Sequence, residues 1–472
     1  MNRPIRGVAV TAMALFLALA LNVSVTYLTR QDSLNNNPQN RRVTDARFAQ
    51  NRGPILVGTS PVAQSDPVKD RFKYQRSYGN GPLYAPVTGY YSYYFGTSGL
   101  EASYSPQLSG TADSQLLNRL VNSATGKVPQ GGTVETTIDA RAQRAAWQAL
   151  AGRKGAVVAL DSSTGAVRAL VSSPSYDPND LASHDLPATQ AAWKKLETDP
   201  DRPLANRGTR EIYAPGSTFK LVTSAAALEN GWSQEDTLDA TTYRLPGSTR
   251  EITGDCGGAT ISLADALAVS CNPLFARLGV ELGQDRLREQ AERFGFGTRL
   301  LTDIGSSASV FPEELDKAQT GMSAIGAFEV QASPLQMALV AAAIDNSGVV
   351  MEPYIVQRVL NADLSVVSEA HPQQLSQAVS DSTAAELKQM MLGVVQRGTG
   401  WRAAVDGLSV GGKTGTAVTS DERRPYAWFV AFADELDVAV CVFIEDAEIP
   451  ATDIAGGLVA APVAKAVIEA LK

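Results

Sequence analysis

The spacing of apolar residues changes several times along this chain, and each change predicts a different element. Residues 8–29 carry no charge and are mostly Ala, Val and Leu, with Arg3 and Arg6 before them. Such a run is long enough to cross a hydrocarbon core. A cleaved export signal is the rival reading, because Ala18-Leu19-Ala20 offers a small-residue cleavage site; the uninterrupted length favours a retained anchor. Arg30, Arg41 and Arg42 on the far side dilute the charge asymmetry that sets orientation. If the short tail 1–7 stays in the cytoplasm, either reading exports the rest of the chain. Residues 30–50 read as a polar linker rich in Asn and Gln. From 51 to about 129, Gly, Tyr, Ser and Pro dominate, including Gly89-Tyr90-Tyr91-Ser92-Tyr93-Tyr94. Short aromatic runs broken by glycine predict small strands and loops rather than helices. Packing in a small β-rich module is the ordinary use of such tyrosines, and glycan binding is the other. Residues 133–139 alternate as a strand, and 140–150 follow as a helix built on Ala and Gln.

At Gly155 the period shortens to two. Residues 155–161 and 166–172 predict a hairpin closed by a short loop at 162–165. Helical spacing then covers 217–231, 262–294 in pieces, 334–346 and 384–396, the last ended by Gly398. Strands return at 409–417, 427–433 and 438–444, and a final helix covers 460–471. Strands at both ends and helices between predict an α+β domain: one antiparallel sheet built from both ends, with helices on its faces. The expected organisation is a tail at 1–7, an anchor at 8–29, a linker at 30–50, a small N-terminal module at 51–150 and a larger domain at 151–472.

Charge and composition narrow the chemistry. The formal net charge is −8, with no basic block, which leaves nucleic-acid binding without support. There are two histidines, His184 and His371, and neither lies near a cysteine or a carboxylate pair. A Ser-His-Asp triad or a zinc site needs more, so no metal or cofactor is expected and both histidines read as surface residues. Of three cysteines, Cys441 falls inside an apolar strand and reads as a buried thiol. Cys256 and Cys271 stand in polar, loop-like contexts. Export would allow a bridge between them, and two free thiols are the alternative.

Candidate chemistry starts at Ala214-Pro215-Gly216-Ser217-Thr218-Phe219-Lys220. A serine and a lysine three residues apart at the start of a helix share one face, so the amine can take the hydroxyl proton. Taken alone, the pair is equally a capped helix start with a solvated lysine. Ser270-Cys271-Asn272 then ends an apolar helical run, and Lys413-Thr414-Gly415-Thr416 lies in a predicted strand after Gly411-Gly412, where glycine marks a close backbone approach. The ordered set S-x-x-K, S-x-N and K-T-G is the signature of penicillin-binding proteins and class A β-lactamases.

On these motifs the chain resembles a class B penicillin-binding protein, and its short pedestal resembles the penicillin-binding protein A-like group. The likeness extends over roughly residues 50–470. Asn51-Arg52-Gly53-Pro54-Ile55, Gly99-Leu100-Glu101 and Thr137-Ile138-Asp139 with Gln143 are similar to family segments before the catalytic domain. Asp161 with Gly165, Ser173-Pro174-Ser175-Tyr176-Asp177-Pro178-Asn179, Asn206-Arg207 and Pro334-Leu335-Gln336 are similar to segments within it. The resemblance implies a transpeptidase domain of the serine β-lactamase-like fold on a non-catalytic pedestal, and a membrane-bound, extracytoplasmic enzyme that cross-links peptidoglycan stem peptides and is acylated by β-lactams.

It also implies roles. Ser217 is the nucleophile, Lys220 its base, and Ser270 the proton relay to the leaving amine. Asn272 binds the substrate amide, and Lys413 holds positive charge beside the serines. Thr414, Gly415 and Thr416 bind the terminal carboxylate, and the backbone N–H groups of Ser217 and Thr416 form the oxyanion hole. A glycosyltransferase domain is not implied, so a membrane polymerase partner is expected. Two features depart from the family pattern: Cys271 inside S-x-N, which a bridge to Cys256 would tether to a loop, and the short, Tyr-rich pedestal. Two other readings use water as acceptor or no chemistry at all: a D,D-carboxypeptidase or β-lactamase-type hydrolase, and a membrane-anchored scaffold. No E-x-x-x-N follows soon after Asn272, as a class A β-lactamase would need, and the intact set of five polar residues argues against a dead enzyme.

Overall fold

The structure is a computed structural model that describes residues 3–35, 37, 41–112, 130–417 and 424–472. The apolar N-terminal run is one helix, Arg3–Asn35, longer than its uncharged segment at both ends. An 18-residue window within Arg3–Gln31 has a mean hydropathy of 2.3, and none of that window is buried in the protein. The expected linker is helical through Asn35 and again over Arg41–Phe48. Residues 1–2 of the expected tail, 36 and 38–40 of the linker and 113–129 of the N-terminal module lie outside the described residues.

The expectation of small strands and loops from residue 51 holds at Ile55–Val57, Ser60–Pro67 and Tyr74–Tyr78, but the Tyr-rich part at 81–108 departs from it. It holds helices Gly81–Thr88, Gly99–Ser103 and Ser105–Leu108, with only the two-residue strands Tyr91–Ser92 and Gly96–Thr97 among them. Pro82 and Pro106 sit in the first turns of two of these helices, where a missing N–H costs nothing. Leu83, Val87, Leu100 and Leu108 then bury one face against the core. Burial outweighed the local preference of tyrosine and glycine.

A six-stranded sheet organises the N-terminal half. Its order is Val366–Glu369, Val356–Leu360, Thr133–Thr136, Ile55–Val57, Ser60–Pro67 and Tyr74–Tyr78. Ile55–Val57 and Thr133–Thr136 run parallel, and the other neighbours are antiparallel. Two of the strands therefore come from far along the chain. Beneath the sheet Glu101 is fully buried and accepts from Arg52 Nη2 at 2.7 Å, Arg76 Nε at 2.6 Å and Tyr78 Oη at 3.2 Å. Burial pushes the Glu101 carboxyl up, but Arg76 and Arg52 more than offset it and hold it below its ordinary value.

The second half is built on a five-stranded antiparallel sheet in the order Val410–Ala417, Tyr426–Ala433, Val438–Asp446, Lys154–Asp161, Val167–Ser173. Strands from both ends of this part meet in the middle, as the pattern predicts. Side chains alternate between two cores. Val158, Leu160, Phe432, Cys441 and Phe443 face the helix Pro334–Asp345, all of whose residues are buried. Val157, Ala159, Phe429, Val440 and Val442 face helices Ala140–Leu150 and Ala461–Leu471. A helix apolar all round belongs inside a core; Ser333 caps this one at Gln336 N, with Pro334 in its first turn.

Cys441 is a buried free thiol, pushed up by burial. Cys256 and Cys271 form a disulfide with a Cα–Cα distance of 5.0 Å. His371 is exposed, but His184 is not the surface residue its polar neighbours suggest. Its ring packs 4.8 Å from Phe72 and 5.4 Å from Phe48, its side chain is 13% exposed, and Nδ1 pairs with Asp70. The helix Arg41–Phe48, which folds back over it, left no sign in the sequence around residue 184.

Candidate active site

Ser217 owes its place to a turn locked from several sides. Gly216 adopts φ +53°, and a β-carbon there would stand 2.9 Å from the Thr416 carbonyl oxygen; only glycine permits that conformation and that approach. Gly216 N donates to Gly326 O at 3.0 Å, Trp428 Nε1 donates to Ala214 O at 3.0 Å, and Thr218 Oγ1 donates to Pro215 O at 2.8 Å. Ser217 thus lies in the short 3₁₀ turn Gly216–Phe219, and Lys220 opens the helix Lys220–Glu229 that follows.

The lysine points into the protein. It is fully buried, and Nζ donates to Asn272 Oδ1 at 2.7 Å, Ser270 O at 2.8 Å and Ser270 Oγ at 3.2 Å. Ser270 ends the helix Leu263–Val269 with φ +62°, a left-handed conformation that serine adopts at some cost, and the next helix, Asn272–Leu282, starts two residues on. That reversal lets one residue offer both its carbonyl and its hydroxyl to Lys220. The disulfide holds Cys271, inside the reversal, to the loop of Cys256.

Lys413 comes from the edge strand Val410–Ala417 and is also fully buried. Its Nζ donates to Ser270 Oγ at 2.8 Å and to Thr414 O at 3.0 Å. Ser270 Oγ therefore stands between two amines. Among the described residues neither lysine forms an ion pair, and Ser217 Oγ makes no hydrogen bond. Burial without a counter-charge disfavours the ammonium form. It pushes Lys220 far below its ordinary value, with Lys413 adding to the effect, and pushes Lys413 down to about 7. The pair can hold one neutral amine and one cation side by side near neutral pH.

The three segments meet in a cleft of about 550 Å³ lined by Ser217, Ser270, Asn272, Thr414 and Thr416, among others. Gly415 is pinched: a β-carbon there would lie 2.9 Å from Thr218 Cγ2 and 3.0 Å from Pro215 O, so the strand presses directly on the serine turn. The backbones of Ser217 and Thr416 are neighbours at the cleft for the same reason. The two threonines differ. Thr416 is exposed, and its hydroxyl receives only a long contact from Gly456 N, 3.4 Å. Thr414 is 7% exposed and its hydroxyl is engaged with Thr399 Oγ1 at 2.7 Å.

Thr399, Trp401 and the π-turn Gly456–Ala460 also border the cleft and escape motif reading. Gly398 and Gly400 on either side of Thr399 are the signal that could have pointed there, because paired glycines mark close packing. No group of three His, Cys, Asp or Glu side chains that could hold a metal ion occurs among the described residues.

Residues 155–469 match the penicillin binding protein transpeptidase domain family, and residues 52–134 match the penicillin binding protein A dimerisation domain family. The chain is 41% identical over 489 residues to the peptidoglycan D,D-transpeptidase PbpA of Mycolicibacterium smegmatis, covering 100% of this chain and 99% of that protein. It is 40% identical over 490 residues, with the same coverage, to the protein of that name from Mycobacterium tuberculosis. Among solved structures, the ceftriaxone acyl-enzyme complex of penicillin-binding protein A from M. tuberculosis superposes with a TM-score of 0.87 at 39% identity, over 90% of this chain and 99% of that one. The imipenem acyl-enzyme complex of the same protein gives 0.86 at 40% identity, again over 90% and 99%.

Proposed function

The chain belongs to the penicillin-binding protein transpeptidase family, and from that premise we propose how its residues carry out peptidoglycan D,D-transpeptidation. The activity proceeds through an acyl-enzyme on serine. We assign the nucleophile to Ser217, which attacks the carbonyl between the last two D-alanines of a stem peptide. Lys220, kept neutral by burial and by Lys413, takes the hydroxyl proton. Ser270 passes a proton to the departing amine, with Lys413 as the cation that holds its oxygen. Asn272 orients the substrate amide. Thr416 offers its hydroxyl to the terminal carboxylate, and Thr414 supports the same strand from below. The backbone N–H groups of Ser217 and Thr416 receive the developing oxyanion. An amine of a second stem peptide then resolves the ester into a cross-link.

The observation that carries this reading is Ser270 Oγ, within hydrogen-bond reach of Lys413 Nζ at 2.8 Å and Lys220 Nζ at 3.2 Å beside Ser217. Intact-protein mass spectrometry of the full chain after incubation with a β-lactam tests it. The wild type is expected to gain one persistent adduct and Ser217→Ala none. An adduct that survives in Ser217→Ala would overturn the assignment.

The helix Arg3–Asn35 is long and apolar enough for a single-pass anchor. With the short tail inside, the catalytic half lies outside the membrane, where the Cys256–Cys271 disulfide would persist. A separate membrane glycosyltransferase then supplies the glycan strands.

A further inference from the structure

Among the described residues, few large apolar side chains outside the N-terminal helix stand in solvent, yet three of them line the cleft of Ser217: Val269, Trp401 and Leu458, exposed by 37%, 59% and 43%. They arrive from separate segments that pack on one another. Thr399 N donates to Ala268 O at 3.1 Å. A β-carbon on Gly398 would stand 2.3 Å from the same carbonyl, and one on Gly457 would stand 2.1 Å from Thr399 O. Thr399 in turn bonds Thr414. The three side chains are thus carried by backbone segments that meet beside Thr399, and all three line the cleft together with Ser270 and Thr414. Arg397, donating to Asp265 at 3.0 Å, also borders the cleft there. An apolar cluster left open beside reactive groups marks a binding surface.

Position decides what that surface meets. The departing amine receives its proton at Ser270, directly after Val269 in the chain. Aminolysis of the acyl-enzyme is that step run backwards with a different amine, so the incoming nucleophile uses the same flank and the same hydroxyl. We propose that Val269, Trp401 and Leu458 form the acceptor subsite, which binds the alkyl arm carrying the attacking primary amine and so favours aminolysis over hydrolysis of the acyl-enzyme. This rests on the transpeptidase reading above. In the step, the amine nitrogen forms a bond to the ester carbonyl carbon and the bond from that carbon to Ser217 Oγ breaks. The surplus amine proton passes through the Ser270 hydroxyl to Ser217 Oγ, and no further reactant is needed. Water competes for the same carbon. An apolar wall offers water no hydrogen bond, while methylene groups laid on it leave solvent.

The test uses the full chain in detergent with an N-acyl-D-alanyl thioester as donor. The acceptors are an N-acetyl lysine amide and its short-armed 2,3-diaminopropionate analogue. Mass spectrometry reads the ratio of amide product to hydrolysed donor, which counts only molecules that have already acylated and so removes differences in folding and acylation. The wild type is expected to prefer the long arm. Trp401→Ala should cut the long-arm ratio about tenfold, as truncation of a central aromatic contact does, and Leu458→Ala should cut it less, with the short-arm ratio barely moved in either. Leu364→Ala, which removes an exposed apolar side chain elsewhere, controls for general surface effects. Ratios unchanged in both wall variants would overturn the subsite. A wild type that forms no acyl-enzyme would instead overturn the transpeptidase reading and take this inference with it.

Discussion

Each half of the molecule buries a cluster of charged side chains, and the two clusters solve the problem of burial in opposite ways. In the N-terminal half Arg52 and Arg76 flank Glu101, and each guanidinium pairs directly with its carboxylate. In the catalytic half Lys220 and Lys413 share the Ser270 hydroxyl, and their acceptors are an amide oxygen, two carbonyls and that hydroxyl. Arginine keeps its proton at any accessible pH, so near neutral pH the first cluster keeps its charge state and holds shape. Two buried lysines without a carboxylate disfavour being charged together, which pushes both toward the neutral form, Lys220 the further. Burial beside an opposite charge keeps a group ionised; burial without one drives it toward its neutral form.

Removing one member of each cluster separates these roles most sharply. Lys220→Met should lower the rate of β-lactam acylation about 10³-fold, or about 4 kcal/mol, while the denaturation midpoint holds or rises, because a thioether replaces an uncompensated buried amine. A loss below tenfold would show that Lys220 is not the base. Glu101→Gln should do the reverse. It strands two guanidiniums and should cost about 3–5 kcal/mol of stability in urea titration, with the acylation rate per folded molecule retained. If that rate fell as far as the stability, the clamp would be part of the site.

The pH responses should diverge next. With Lys220 as base and Lys413 as cation, as proposed above, the acylation rate should fall as pH rises through about 7, where Lys413 loses its proton; Lys413→Arg should abolish that alkaline fall, whatever its effect on the maximum. A stopped-flow profile with and without the substitution checks this. Stability follows another course. Lys413 titrates at about 7 when folded against an ordinary 10.5, so the unfolded chain binds more protons between those values. Stability should therefore rise with pH across that window, by up to about 1.4 kcal/mol per pH unit. Glu101, held below its ordinary 4.5, gives stability that is fully present above that value and lost as pH falls through the lowered one. The clamp should fail in acid; buried Lys413 should weaken the fold at neutral pH.

The smallest effect concerns strain, which only the catalytic cluster carries. Ser270 is left-handed at φ +62°, so Ser270→Gly should be more stable than Ser270→Ala by about 1 kcal/mol in thermal unfolding, while both lose the hydroxyl that we propose as the relay. Equal stability would mean that the turn imposes no strain.

Much of this was legible in the sequence because it is local. Ser217 and Lys220 share one turn, and the strand and helix periods around Gly155, Pro334 and Val438 report burial on each residue's own element. Partner choice is not local. Nothing near Val356 tells that it completes a sheet begun at Ile55, and nothing near Arg41 tells that its helix covers His184. Thr399 and Trp401 escaped for a related reason: they border the cleft through packing against residues 268–270 and 457, and no short motif records that.

The strand Val356–Leu360 has a consequence for how the protein can be cut. It leaves the catalytic half and pairs along Thr133–Thr136. A recombinant fragment begun at residue 151 would keep this strand and lose its partner, baring a row of N–H and C=O groups that invites another copy to add on. The pedestal is therefore no detachable handle, and a pull on its N-terminal helix would reach the catalytic half through a ladder of hydrogen bonds as well as along the chain.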